Sequence, residues 1–180
     1  QPSQLFLIAD GPRSGHDGDQ ALCAQTREAA ESLPWACPVH TLYTDTNMGL
    51  RQRVSSGLDW VFDQVNEAII IEDDCLADPT FFRFSTELLE TYRDSDEVGV
   101  ISGNNFLRGR RITDDSYFFT PDTRIWGWAT WKRVWEDFSR HGLDHQWGSD
   151  ELDAALGQLG SQGRARALRA DALRSHAINS

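Results

Sequence analysis

Ala68-Ile-Ile-Ile-Glu-Asp-Asp-Cys75 runs a continuously apolar, β-branched stretch directly into three acids. A strand with no polar alternation suits burial on both faces, which is the situation in parallel sheets whose crossover helices cover them. The stretch therefore predicts a strand over 68–71 with Glu72, Asp73 and Asp74 at its carboxyl end. Three adjacent carboxylates leaving such a strand repel one another, so the stretch also points to whatever would offset that repulsion.

Upstream, Leu50, Val54, Leu58, Val61, Phe62 and Val65 recur at helical spacing and predict a helix over 50–65. Before it lie a strand candidate at 39–43 and a helix over 20–33, rich in Ala, Glu, Gln and Leu and stopped by Pro34. Leu5-Phe-Leu-Ile-Ala9 reads as a buried strand closed by the turn signal Asp10-Gly-Pro12. Downstream, Pro79 opens a helix reaching about residue 93, with Phe82, Leu88, Leu89 and Tyr92 as its apolar residues. Val98-Gly-Val-Ile101 returns as a strand. Strands alternating with helices predict an α/β fold, a mostly parallel sheet with helices on both faces. Ligands of such sheets collect at carboxyl strand ends, which puts Asp10 and the acidic triplet on one edge.

Beyond Asn105 the periodicity is lost. Arg108-Gly-Arg-Arg111 and Thr113-Asp-Asp115 mark a polar excursion, followed by Tyr117-Phe-Phe119 and Trp126-Gly-Trp-Ala-Thr-Trp131. A short helix is expected over 132–138, and 150–159 and 164–177 have helical composition with a Gly-rich break between them. No internal repeat, linker or low-complexity tract interrupts the chain.

The chain has 180 residues, 39% hydrophobic and 25% charged, which suits one globular domain or most of one. The domain is expected to span 1–180 and to be incomplete at both ends, because the chain begins almost inside a strand and is still helical in composition at Ser180. Its apolar runs fall far short of the roughly 20 residues that cross a bilayer, so no membrane span is expected. The formal net charge of -11 repels phosphate backbones, which argues against nucleic acid as a partner. An anionic ligand would need a local device: a metal ion, an arginine or a helix N-terminus. Cys23, Cys37 and Cys75 are odd in number and lack metal-type spacing. With no signal peptide at the start, a cytoplasmic setting is the default expectation.

A divalent cation would relieve the crowding of Glu72, Asp73 and Asp74, and Mg²⁺ or Mn²⁺ needs only one or two carboxylates when substrate phosphates complete the shell. A solvated acidic turn capping the helix at Pro79 is the plainer alternative. Asp10 could take a base or a sugar hydroxyl, or simply accept hydrogen bonds from the backbone of its own turn. Asn47, Gly49, Arg51 and Arg53 surround the start of the strongest helix, where phosphate is favoured, although a surface salt bridge suits either arginine equally. Trp126, Trp128, Trp131 and Trp135 fall within ten residues. Some would be core supports, while others could stack on sugars or bases.

Together these pieces resemble the GT-A fold glycosyltransferases, and more closely a bacterial nucleotide-diphospho-sugar transferase family. The resemblance covers nearly the whole chain and rests on Leu7-Ile-Ala-Asp-Gly-Pro-Arg13, Asn47-Met-Gly-Leu50, Gly57-Leu-Asp-Trp60, Ile70-Ile-Glu-Asp-Asp-Cys75 with Phe81-Phe82, and Trp126-Gly-Trp-Ala-Thr-Trp131 with Trp135. Glu72-Asp-Asp74 is similar to the DXD-type motif of the eukaryotic N-acetylglucosaminyltransferase that acts on N-glycans. The resemblance implies Asp74 as metal ligand, Glu72 and Asp73 as donor-binding acids, and Asp10 as the uracil contact. It also implies Trp126, Gly127 and Trp128 as the floor beneath donor sugar and acceptor, and Arg13 and Arg51 are expected on the donor side.

The implied activity is a Mn²⁺- or Mg²⁺-dependent transfer of a hexose-type or N-acetylhexosamine unit, with inversion, from a nucleotide-diphosphate sugar to a hydroxyl acceptor on a glycan, a lipid-linked sugar or a protein. UDP-sugar is the favoured donor. The general base of inverting members sits in a Trp-Asp context. Trp147-Gly-Ser-Asp150 offers Asp150, and an acid beyond Ser180 is the other position. Two departures stand out: the additional first strand and helix of the family are not in the sequence, and neither is a plain Trp-Asp pair. The competing readings are a sugar-nucleotide-forming nucleotidyltransferase, which would show a Gly-rich phosphate loop near its first strand, a signalling receiver domain, and a non-catalytic nucleotide- or carbohydrate-binding remnant.

Overall fold

The computed structural model describes residues 2–107, 109–121 and 123–141. They fall into two compact units, one of residues 2–68 and 131–139, the other of residues 69–130 with 140 and 141.

In the first unit, β1 (Leu5–Ala9) and β2 (Val39–Tyr43) pair in parallel, from Leu5 opposite Val39 to Ala9 opposite Tyr43. Parallel neighbours require a crossover, which α1 (Asp19–Glu31) supplies. None of its residues is buried, and Leu22 is exposed. The next helix, α2 (Leu50–Phe62), lies against β1, so closely that a Cβ on Gly57 would come within 2.8 Å of the Ile8 side chain. Leu58, Val61 and Phe62 are its buried apolar residues. The Phe62 ring stacks at 6.3 Å on buried Trp135 of α4 (Lys132–His141), whose indole N–H donates to Asp59 Oδ1 at 2.7 Å.

A second sheet has the order β3 (Glu67–Ile70), β5 (Trp128–Trp131), β4 (Val100–Ser102). β4 and β5 are antiparallel, Val100 opposite Thr130 and Ser102 opposite Trp128. At the other end of β5, Lys132 N donates to Asn66 O at 2.8 Å, so β5 finishes where β3 begins. Between β3 and β4 comes α3 (Pro79–Thr91), with Pro in its first turn and the Asp78 side chain accepting from Thr80 N at 2.9 Å as N-cap. Phe81, Ser85 and Leu89, four residues apart, form its buried line. The Phe81 ring fills the space beside Gly103, where a Cβ would approach it to 2.6 Å.

The helices predicted over 20–33, 50–65, 79–93 and 132–138 and the four predicted strands are present, with ends displaced by a few residues, while those expected over 150–159 and 164–177 lie outside the described residues. The sheet is different. A single, mostly parallel sheet is not what the described strands form: one pair is parallel, and the second sheet takes in β5 running against β4. Four residues of mixed aromatic and small side chains carry no period that would distinguish a strand from a loop, so β5 was not legible. Nor are β1 and β3 fully buried; every residue in both is only partly covered, as strands of two- and three-stranded sheets are when open edges remain. In α2 the buried stripe also contains Arg53 and Gly57, which leaves Leu50 and Val54 exposed. Val65 falls beyond the helix.

Candidate functional site

The predicted site residues divide between the two units. Asp10, Arg13 and Arg51 belong to the first, and Glu72, Asp73, Asp74, Trp126, Gly127 and Trp128 to the second. Asp150 lies outside the described residues.

Asp10 ends β1 and ties together three segments. Its Oδ1 accepts from Gly11 N at 2.8 Å, Thr44 Oγ1 at 3.1 Å and Met48 N at 2.9 Å, while Oδ2 accepts from Met48 N at 3.1 Å and Gly49 N at 3.0 Å. Burial pushes the carboxyl up, but the hydrogen bonds from Met48, Gly11, Thr44 and Gly49 outweigh it and hold Asp10 below the usual carboxylate range. Beside it, Arg27 donates to the carbonyls of Asp10 and Thr44 at 3.2 and 2.8 Å, closing the carboxyl ends of β1 and β2. Gly11 is confined: a Cβ there would lie 2.5 Å from Thr46 N. These contacts are those of a turn residue, and the lone pairs of the carboxylate are already well used by the protein itself.

Arg13, Arg51 and Arg53 of this unit have different surroundings. Arg13 is engaged by Asp19, Nε to Oδ2 at 2.8 Å, which fastens the turn after β1 to the start of α1. Arg51 is exposed on the first turn of α2. Arg53, by contrast, is only 6% exposed, and its guanidinium reaches Ser56 Oγ at 3.1 Å and Met48 Sδ at 3.9 Å, with Nε unpartnered. No carboxylate among the described residues pairs with it. A surface salt bridge, expected as readily as a phosphate contact, is not what buried Arg53 makes among the described residues. Its position four residues before Gly57 and eight before Val61, on the buried stripe, is the sequence signal for that burial.

In the second unit the acidic triplet leaves β3 in a tight turn, closed by Cys75 N donating to Glu72 O at 3.1 Å. Glu72 is half-buried, whereas Asp73 and Asp74 are exposed. Burial, then the charges of Asp74 and Asp73, push the Glu72 carboxyl above its ordinary value. The Cys75 thiol points at Asp74 Oδ1, 3.6 Å away. Among the described residues, no group of three or more His, Cys, Asp or Glu side chains is arranged to hold a metal ion. The triplet is a crowded anionic turn with one or two carboxylates to offer, and it is not a finished cage.

The strand order brings the tryptophan segment toward this turn. Because β5 begins opposite the end of β4 and finishes at the start of β3, its first residue, Trp128, lies at the edge where both β3 and β4 end. Gly127, with φ +74°, occupies the left-handed region and turns the chain into β5. Gly103 N donates to Gly127 O at 2.9 Å, and the Asn104 side-chain amide donates to Trp126 O. Trp126 stands 57% exposed, Trp128 is half-buried, and Trp131 and Trp135 are core residues. Asn104 and Phe106, which accompany Trp126, were not singled out from the sequence, since nothing in the spacing links positions twenty residues apart. No family model, no curated protein and no solved structure matches the chain. No helix among the described residues is long and apolar enough to cross a membrane.

Proposed function

We propose that the chain is a metal-dependent glycosyltransferase of GT-A type, moving a sugar from a nucleotide-diphosphate donor, UDP-sugar in the first instance, to a hydroxyl acceptor. The observation that carries this reading is the convergence, at one strand-end edge, of the Glu72-Asp-Asp74 turn with the Trp126-Gly-Trp128 segment. Acids alone would suit any solvated turn, and tryptophans alone any core. An acidic turn beside an exposed indole and a left-handed glycine suits a sugar diphosphate better than either plain alternative.

The metal fit is partial, in a way that suits this chemistry. Exposed Asp74 can give a cation one carboxylate, and a doubly charged ion would offset the charges of Asp74 and Asp73 that, after burial, hold the half-buried Glu72 carboxyl up. The remaining ligands would be the diphosphate oxygens of the donor, so cation and nucleotide should bind together. Bound there, Mn²⁺ or Mg²⁺ supplies charge stabilisation for the departing diphosphate. Glu72 and Asp73 would orient the ribose and donor sugar, and Trp126 and Trp128 would support the sugar ring. An acceptor oxygen then bonds to the anomeric carbon as the bond to the diphosphate breaks, its proton passing to a carboxylate such as Asp150 and the negative charge leaving on the diphosphate.

Calorimetric titration with UDP, GDP and dTDP, each with and without Mn²⁺, tests the proposal. The expected result is UDP binding that requires Mn²⁺, lost in Asp74→Ala while the fold is kept. Metal-dependent affinity unchanged in that variant would remove Asp74 as ligand. Turnover of UDP-sugars as against sugar 1-phosphate plus UTP separates transfer from nucleotidyl transfer, and UDP binding without turnover would favour a non-catalytic protein.

A further inference from the structure

Phe106 and Trp126 are large aromatic side chains that stay 55% and 57% exposed, yet their rings lie 6.1 Å apart at an interplanar angle of 56°. They are brought together from opposite sides of an excursion twenty residues long. Two backbone-anchored contacts hold the pair at the carboxyl end of β4: Gly103 N to Gly127 O, and the Asn104 amide to Trp126 O. A third side chain, Arg124, lies over the Phe106 ring, 5.2 Å from its centroid. Exposed apolar surface that is held in place by specific contacts marks a binding face rather than a packing remainder.

We infer that Phe106 and Trp126 form the acceptor subsite and that the acceptor presents a saccharide ring to them. This inference rests on the proposed transferase reading and names the acceptor class for it. β3 and β4 are separated by β5 alone, so their ends stand two strand spacings apart, about 10 Å. The Glu72-Asp-Asp74 turn follows one end and Phe106 comes four residues after the other, so both lie toward the same edge of the sheet. A pyranose has an apolar C–H face bounded by hydroxyls, and it matches an aromatic face bounded by polar groups. Asn104, whose amide donates to Trp126 O, and Arg124, whose guanidinium lies over Phe106, supply polar groups beside the pair here. A lipid chain would instead need an apolar trough unbroken by such groups.

The test follows the Trp126 indole N–H resonance of the full chain during titration with methyl glycosides of glucose, galactose and N-acetylglucosamine. At least one should shift it with millimolar affinity, and Phe106→Ala should weaken that binding by about tenfold or more, with Phe106→Trp restoring it. Binding of UDP with Mn²⁺ should be the same in Phe106→Ala as in the natural chain, and this separates the two proposals. UDP binding with no glycoside response, or a response indifferent to Phe106→Ala, overturns the acceptor subsite alone. Loss of UDP binding in the natural chain overturns the transferase reading, while a Phe106-dependent glycoside response would still stand. Co-sedimentation with phosphatidylcholine–phosphatidylglycerol vesicles that depends on Phe106 would overturn the saccharide in favour of a lipid surface.

Discussion

Asp10 shows how a single side chain can organise a loop. Its carboxylate accepts from four residues, two of them, Met48 and Gly49, far along the chain at the start of α2. Hydrogen bonds to a charged acceptor each contribute about 1.5–3 kcal/mol, and removal strands the donors. Asp10→Ala should therefore destabilise the fold by about 2–4 kcal/mol, read as a lower urea midpoint at unchanged slope. Gly11→Ala should be at least as damaging, because its Cβ would meet backbone rather than a movable side chain. The Asp-Gly-Pro turn was legible in the sequence, and so was the bond from Gly11 N. The partners at Met48 and Gly49 were not, since no local pattern encodes a contact that depends on where the next helix begins.

Between neighbouring elements the same dependence on placement recurs. The Arg13–Asp19 pair joins the turn after β1 to α1, and the Arg13 side chain is the main cause that pulls the Asp19 carboxyl down to about 2. Since its unfolded value is about 3.9, the stabilisation is present above roughly pH 4 and is lost as pH falls toward 2. Arg13→Gln should lower the melting temperature at neutral pH, and the gap from the natural chain should close across that acidic window. If the gap persists at pH 2, the pair is not its source. In the second unit, Phe81 of α3 packs beside Gly103 after β4, and Gly103→Ala should cost about 1–3 kcal/mol by displacing that ring. The same change should disturb the Trp126 indole resonance, because Gly103 N holds Gly127 O.

Across the whole molecule, charge is the property set most directly by composition. With 28 acidic and 17 basic residues the chain carries -11, and it should not retard duplex DNA in a gel-shift assay at physiological salt. Retardation that fades with added salt would mean that a local basic surface overrides the net field. The two arms of the candidate site are equally a matter of scale: acids at a strand end were evident from one apolar run and the resemblance implied the aromatic segment, but that the two share one edge follows from the pairing of β5 with β4 and its finish at β3.

The amino-acid order by itself determined where α1 to α4 and β1 to β4 form, because apolar period, proline and glycine act within a few residues. It also determined the acidic turn after β3 and the dense run of tryptophans. Only the tertiary structure decided that β5 runs between β3 and β4, that Arg53 is buried, and that Phe106 stands beside Trp126. Those outcomes depend on which distant surfaces pack together. Pairing across many residues follows from burial and hydrogen bonding of the assembled chain, so no single window of sequence contains it.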